Sequence, residues 1–317
     1  MTAAGGAVPV VQERRGSVIA DATTQGADNA RRLAHARPKR RRLPRMTDRL
    51  PLGRQPMLQV SPFCQGMVST PDAVLTAFDA GINFFFLTAD MHWPLYESTR
   101  EGLRRLLARG PVMREQIVVG VVSYATQPEF CWVPYEEVLE AVPGLEHIDV
   151  TIAGGAYGHE YPARREVYRQ HLAVGHVGVR AIGATFHDRH AAADAIAAGE
   201  LDVAFIRYNP SHPGARTDVF PRVTRQTTTL VYNFKSLESF VDPARCAALG
   251  LDDAYWYPEP TDYYRFAVSR PEIDGVLCSP GTPAEVQSLR MALELGPLDE
   301  EEQTYLIDLA SLDAAHP

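Results

Sequence analysis

From about residue 60 onward, short apolar runs alternate with longer stretches of helical period. Eight six-residue runs read as strands: 63–68, 83–88, 117–122, 148–153, 180–185, 203–208, 229–234 and 274–279. Each is mostly apolar and bounded by Gly, Pro or Asp, as expected of strands covered on both faces. Between them the polar positions follow a helical period. Residues 70–81 begin with Thr70 as an N-cap and Pro71 in the first turn, and leave the helix at Gly81. Residues 96–110 set Leu103, Leu106 and Leu107 on one face. Helical stretches also cover 187–200 and 261–271, and 282–296 repeats the Thr-Pro start and Gly stop. A last helix over 298–312 follows the eighth strand.

Eight strand–helix units in about 250 residues predict a closed (β/α)₈ TIM barrel. A doubly wound open sheet would want a G-x-G-x-x-G turn after its first strand, and "CQGMVSTPD" lacks one. In a barrel the chemistry lies at the C-terminal strand ends. The segments to inspect are therefore 66–67, 87–92, 122–124, 154–157, 185–187, 207–209, 232–235 and 278–282.

In this register the chain resembles the aldo-keto reductase superfamily over roughly residues 50–312. "LPLGRQPMLQVSP" is similar to the family's N-terminal hairpin, and "AFDAGINFFFLTAD" to its second unit. "GLEHIDVTIAG", "GVRAIGATFH" and "AAGELDVAFIRYN" are similar to strands four, five and six. "YRFAVSRPEIDGVLCSPGTPAEVQSL" looks like the eighth strand with its cofactor-phosphate loop, and "LGPLDEEEQTYL" like the extra C-terminal helix. The resemblance implies carbonyl reduction with NADPH, in which a Tyr tuned by Lys and Asp protonates the alkoxide and a His orients the substrate.

Carried over position by position, that tetrad is missing. The Asp falls on Leu87, the Tyr on His92, the Lys on Val122 and the His on Gly154. No Lys occurs between Lys39 and Lys235, so a slip of register cannot restore it. Of the cofactor positions, Thr185 keeps a hydroxyl and Phe234 keeps the stacking aromatic, while Phe205 replaces a Gln. The phosphate-binding cation is absent after strand eight, although the amides at the helix start by Thr282 can hold a phosphate. The resemblance thus leaves the cofactor as none or NADPH.

The residues themselves suggest other chemistry. His92 can act as a general acid or base near neutrality, with Asp90 or Glu97 orienting its tautomer and Tyr96 beside it. The alternative is a loop histidine packed on Trp93. Trp93, Tyr157, Arg207, Asn209 and Trp132 are the expected substrate contacts. Arg207 suits a carboxylate or phosphate, or else a salt bridge at the barrel rim. Cys64 and Cys278, on neighbouring strands, are either a metal site or a thiol nucleophile with His92 or two inert buried thiols. Lys235 is either a Schiff-base amine or a solvated loop lysine. Aromatic residues crowd 251–264, including Tyr255, Trp256, Tyr257, Tyr263 and Tyr264. They form either a lid or protein-partner surface at the mouth, or loops packed on one another.

Composition narrows the setting. The net charge of −8 hides ten Lys or Arg against three acids in residues 1–45, so the rest carries about −15. A body so acidic argues against a nucleic-acid partner. Residues 1–46 are expected to be a disordered basic extension, or sequence ahead of the native start, and 47–317 the barrel. No apolar run approaches the ~18–20 residues of a membrane helix, and the four cysteines show no C-x-x-C pairing. A cytoplasmic protein with a small-molecule substrate and no bound metal is the expectation. Three readings follow, in this order: a non-redox acid/base enzyme of specialised metabolism (cyclisation, isomerisation or elimination), an NADPH-dependent carbonyl or imine reductase with a rebuilt site, and a non-catalytic binding or scaffold subunit.

Overall fold

The computed structural model of the chain describes residues 42–53, 58–224, 226–251 and 254–316. The basic extension over 1–41 lies outside them. Leu43 and Met46, assigned to that extension by sequence, are both 3% exposed and belong to the core.

Two short strands, β1 (Leu50–Leu52) and β2 (Leu58–Val60), pair as the expected antiparallel hairpin. Eight parallel strands then close on themselves: β3 (Phe63–Gln65), β4 (Phe84–Thr88), β5 (Val118–Ser123), β6 (Val150–Ala153), β7 (Ala181–Phe186), β8 (Val203–Arg207), β9 (Leu230–Phe234) and β10 (Gly275–Cys278). All eight expected runs are strands, in the expected order. The seam is the pairing of β10 with β3, where Val276 lies beside Phe63. Helices surround the barrel, and a final capped helix, Glu300–Ala315, follows the eighth unit.

The alternation of side chains sorts two cores. Phe84 and Phe86 of β4 point into the barrel with Cys64, Val122, Ile152, Phe205 and Tyr232. Phe85 and Leu87 point out, into the layer of helices. Inside, Phe84 meets Tyr232 edge-on at 5.6 Å and Phe86 meets Phe205 at 5.4 Å. Such pairs contribute about 0.5–1.5 kcal/mol each beyond burial. The hairpin supplies Leu52, Leu58 and Val60 to the same interior cluster. Asn83, just ahead of β4, ties to it through Gln59 O and the Ser61 amide. The N-terminal end of the barrel is thereby floored.

A buried ionic knot holds the same end. Asp149, just before β6, is fully buried. It accepts hydrogen bonds from Arg114 Nη2 at 2.8 Å and the Val119 amide at 2.7 Å. Arg180 also donates to it, and His147 Nε2 lies 3.3 Å away. Burial alone pushes this carboxyl up. The hydrogen bond from His147, the Arg114 charge, the Val119 amide and Arg180 together bring it down to about 2.

Candidate functional site

The open end of the barrel carries a cavity of about 660 Å³, within the range of small-molecule sites. Phe86 and Thr88 reach it from β4, Tyr124 from just beyond β5, and Gly154 and Gly155 from the end of β6. Thr185, Phe234 and Leu277 complete the barrel's contribution, and His92, Leu95 and Tyr96 form the wall built by the loop after β4.

The sequence explains why this loop stands over the mouth. Asp90 accepts from its neighbour's amide, Met91 N, at 2.7 Å. Its other oxygen accepts from the Tyr124 amide at 2.6 Å and from Ser123 Oγ at 3.0 Å. A 3₁₀ turn, Trp93–Tyr96, with Pro94 in its first turn then swings Tyr96 inward over Phe86. Beneath β5 and β6, Arg164 is fully buried and donates to Gly154 O and Ser123 O, both at 2.9 Å. It forms no ion pair with any described carboxylate, so a positive charge lies behind these two strand ends.

Four polar groups converge in this apolar space. The His92 imidazole is half-buried and meets the Tyr124 ring edge-on at 5.5 Å. It makes no hydrogen bond to any described residue, and neither do the phenols of Tyr96 and Tyr124. The Thr88 hydroxyl is buried without a partner, in a residue 1% exposed. Burial raises the pKa of both phenols, with added repulsion from neighbouring Tyr124 for Tyr96 and from Asp90 for Tyr124. They are therefore neutral hydrogen-bond donors at pH 7. His187, on the opposite wall, is held below the ordinary imidazole range by partial burial and by the Lys235 and Arg207 charges. It packs edge-on against Phe234 at 5.3 Å.

Of the residues expected from sequence, His92, Tyr96, Tyr157, Thr185 and Phe234 line this cavity. The others lie elsewhere. Asp90 holds the end of β5, not the imidazole. Glu97 turns to its own helix, Glu97–Leu107, and pairs with Arg100 at 2.5 Å and Arg104 at 3.0 Å. Trp93 lies under the Arg100 guanidinium at 3.7 Å. Trp132 packs on His171 and His176 at 5.1 and 4.4 Å, away from the mouth. Arg207 is bound to Glu238 at 2.6 Å, the rim salt bridge of the alternative reading. Asn209 is fully buried and donates to Lys235 O at 2.8 Å. Thr282 caps the helix Pro283–Leu293 by accepting from the Glu285 amide, and it does not reach the cavity.

Register corrects one position. Leu87 faces the helices, so the β4 residues available to the mouth are Phe86 and Thr88. Where the resemblance places a histidine, Gly154 leaves room that Tyr124 takes: a Cβ at 154 would lie 2.7 Å from the Tyr124 ring. Cys64 faces the barrel interior while Cys278 faces the helices, so the two thiols do not share a site. Among the described residues no cluster of three or more His, Cys, Asp or Glu could hold a metal ion. The aromatic segment 251–264 packs inward. Tyr263 and Tyr264 are buried, and Trp256 lies against Tyr305 of the last helix at 5.7 Å. None of its described rings lines the mouth. Thr88, Tyr124 and His187 line the cavity without having been singled out as site residues, and Lys235, read from sequence as a Schiff-base amine or a solvated lysine, lines it while paired with Glu238 at 3.3 Å. The period-two count along "FFFLT" would have found Thr88.

No family model matches the sequence, and no curated protein does. The structure is similar to that of aldo-keto reductase AKR11C1 from Bacillus halodurans in its holo form. That protein is 12% identical, with 83% of this chain and 96% of the other covered and a TM-score of 0.63. It is also similar to a Pseudomonas aeruginosa protein assigned as an aldo-keto reductase, 16% identical over 79% and 97% of the two chains, with a TM-score of 0.56. The shared property is the fold, a closed eight-stranded parallel barrel like those of these two proteins. Among the described residues no helix is long and apolar enough to cross a membrane.

Proposed function

We propose that this barrel is a non-redox acid/base enzyme of specialised metabolism, in the cytoplasm, acting on a small and largely apolar molecule at its open end. The observation that carries this reading is the His92 imidazole, half-buried in the cavity, beside two neutral phenols and without a hydrogen-bond partner among the described residues. A base in such a place meets little competition from the protein for its proton or its lone pair. His92 transfers the proton, and Tyr96 and Tyr124 donate hydrogen bonds to the group that gains charge.

The residues present fit NADPH poorly. Glu285 folds its carboxylate onto the Gly281 amide at 2.6 Å, and Thr282 Oγ1 takes the Glu285 amide. A phosphate arriving at this helix start meets a negative charge and amides already bonded. The nearest cation along the helix, Arg290, is exposed on its far turns. Val122 stands where the resemblance asks for the lysine that tunes the acid. Thr185 and Phe234 do line the cavity, and they favour the second reading, a reductase with a rebuilt site.

Titration of the whole chain with NADPH, followed by nicotinamide fluorescence, separates the two. No saturation up to millimolar cofactor is expected. Micromolar binding would overturn the non-redox reading and favour the reductase.

A further inference from the structure

The inner face of β4 and β5 sets the polar groups of the mouth against one another. Thr88 pairs in register with Val122. Tyr124 is two residues beyond Val122, on the same face and one pleat nearer the opening. Tyr96 covers Phe86, two residues before Thr88. One hydroxyl and two phenols therefore line the cavity around the end of β4, and none has a hydrogen-bond partner among the described residues. A buried hydroxyl left without a partner destabilises the folded chain, and a ligand oxygen would remove that cost. The remaining wall is apolar: Met67, Phe86, Leu95, Phe234 and Leu277. Behind the corner lies the uncompensated Arg164 charge.

We infer that this corner receives the carbonyl oxygen of an apolar ketone, held by Thr88, Tyr96 and Tyr124, and that His92 removes a proton from the carbon beside that carbonyl. The inference rests on the acid/base reading and names its substrate class. The balance is internal. The C–H bond breaks, its electron pair becomes the carbon–carbon double bond of an enolate, and the negative charge moves to the oxygen. The proton goes to the free nitrogen of His92. It returns to the same carbon, or to the far carbon of a conjugated system, which completes an isomerisation. No oxidant, reductant or metal enters. The donors meet the charge as it forms on oxygen, and Arg164 adds a favourable field from behind β5 and β6.

The test uses 1-tetralone as the probe, with the full chain in D₂O, and follows loss of the proton signal beside the carbonyl by NMR. Exchange about 10³-fold above buffer or faster is expected. His92→Gln should return it to the buffer rate. Thr88→Val and Tyr124→Phe should each slow it by about 10²-fold, the usual effect of removing one oxyanion donor. Thr88→Val is nearly isosteric and removes an unpartnered hydroxyl, so its Tm should hold or rise while exchange falls. A purely structural threonine would not give that split. Exchange that needs His92 but ignores Thr88→Val and Tyr124→Phe overturns the oxygen corner and leaves the acid/base reading standing. Absence of exchange overturns the inference. If saturation-transfer NMR then shows the ketone bound, the acid/base reading falls with it. If the ketone is not bound, only the substrate class falls.

Discussion

Asp149→Ala is expected to cost about 3–5 kcal/mol of folding stability, the range for removing one partner of a buried charge pair. The carboxylate is the shared acceptor of Arg114, Arg180 and the Val119 amide at the floor of the barrel. Its removal takes the charge partner from two guanidinium groups and the acceptor from one amide. A titration should show the same group from the other side. Its folded pKa of about 2 lies below the ordinary 3.8. Its contribution is therefore full above pH ~4 and is lost as the pH falls from about 4 towards 2. Integrated over that window, the shift corresponds to about 2.5 kcal/mol. The deletion exceeds the linkage figure because it also leaves donors unpaired. Urea unfolding at pH 7 and melting curves from pH 5 to 2 measure both. A variant that melts like the parent at pH 7 would show that the knot contributes no net stability.

Gly275→Ala should disrupt barrel closure. Gly275 lies in β10 at the seam, next to the residue whose amide donates to Pro62 O at 2.8 Å. A Cβ there would collide with the Pro62 carbonyl and lie 2.5–2.7 Å from the Tyr232 ring. The Tyr232 ring is itself fixed, since its hydroxyl donates to Ser61 O at 2.7 Å. Overpacking a core typically costs about 1–3 kcal/mol. Here the obstacle is backbone just ahead of the neighbouring strand, which cannot turn away as a side chain does, so the cost belongs at or above the top of that range. Loss of near-ultraviolet circular dichroism with retained helical signal is the expected phenotype. A variant with native spectra and unchanged Tm would mean that β10 can shift without opening the seam.

The architecture was legible because barrel strands are short, apolar and punctuated, and these features are local. The strand order followed, and so did the location of the mouth. Residue roles at the mouth were less legible. Aligning "TAD" put Leu87 in the site. Counting faces from Phe84 puts Thr88 there instead, because a one-residue slip reverses every side chain. Asp90 and Glu97 lie close to His92 in sequence. Each was claimed by a partner that sequence spacing hides, the Tyr124 amide thirty-four residues on and an arginine one helical turn away. Trp93 and Trp132 were read as substrate contacts because they are aromatic and near strand ends. Their rings found Arg100 and the His171–His176 pair on the outside of the barrel. The missing lysine needed no geometry, since a residue type absent from a whole stretch can be read directly.

The hairpin floor has a consequence for traffic. Leu52, Leu58 and Val60 close one end, so among the described residues the cavity opens at the other. Whatever enters above Phe86 must turn back and leave past His92 and Tyr96. In the acid/base enzyme proposed above, substrate and product share the same threshold. Product should compete with substrate for entry, and at high turnover the clearing of that doorway would set the pace.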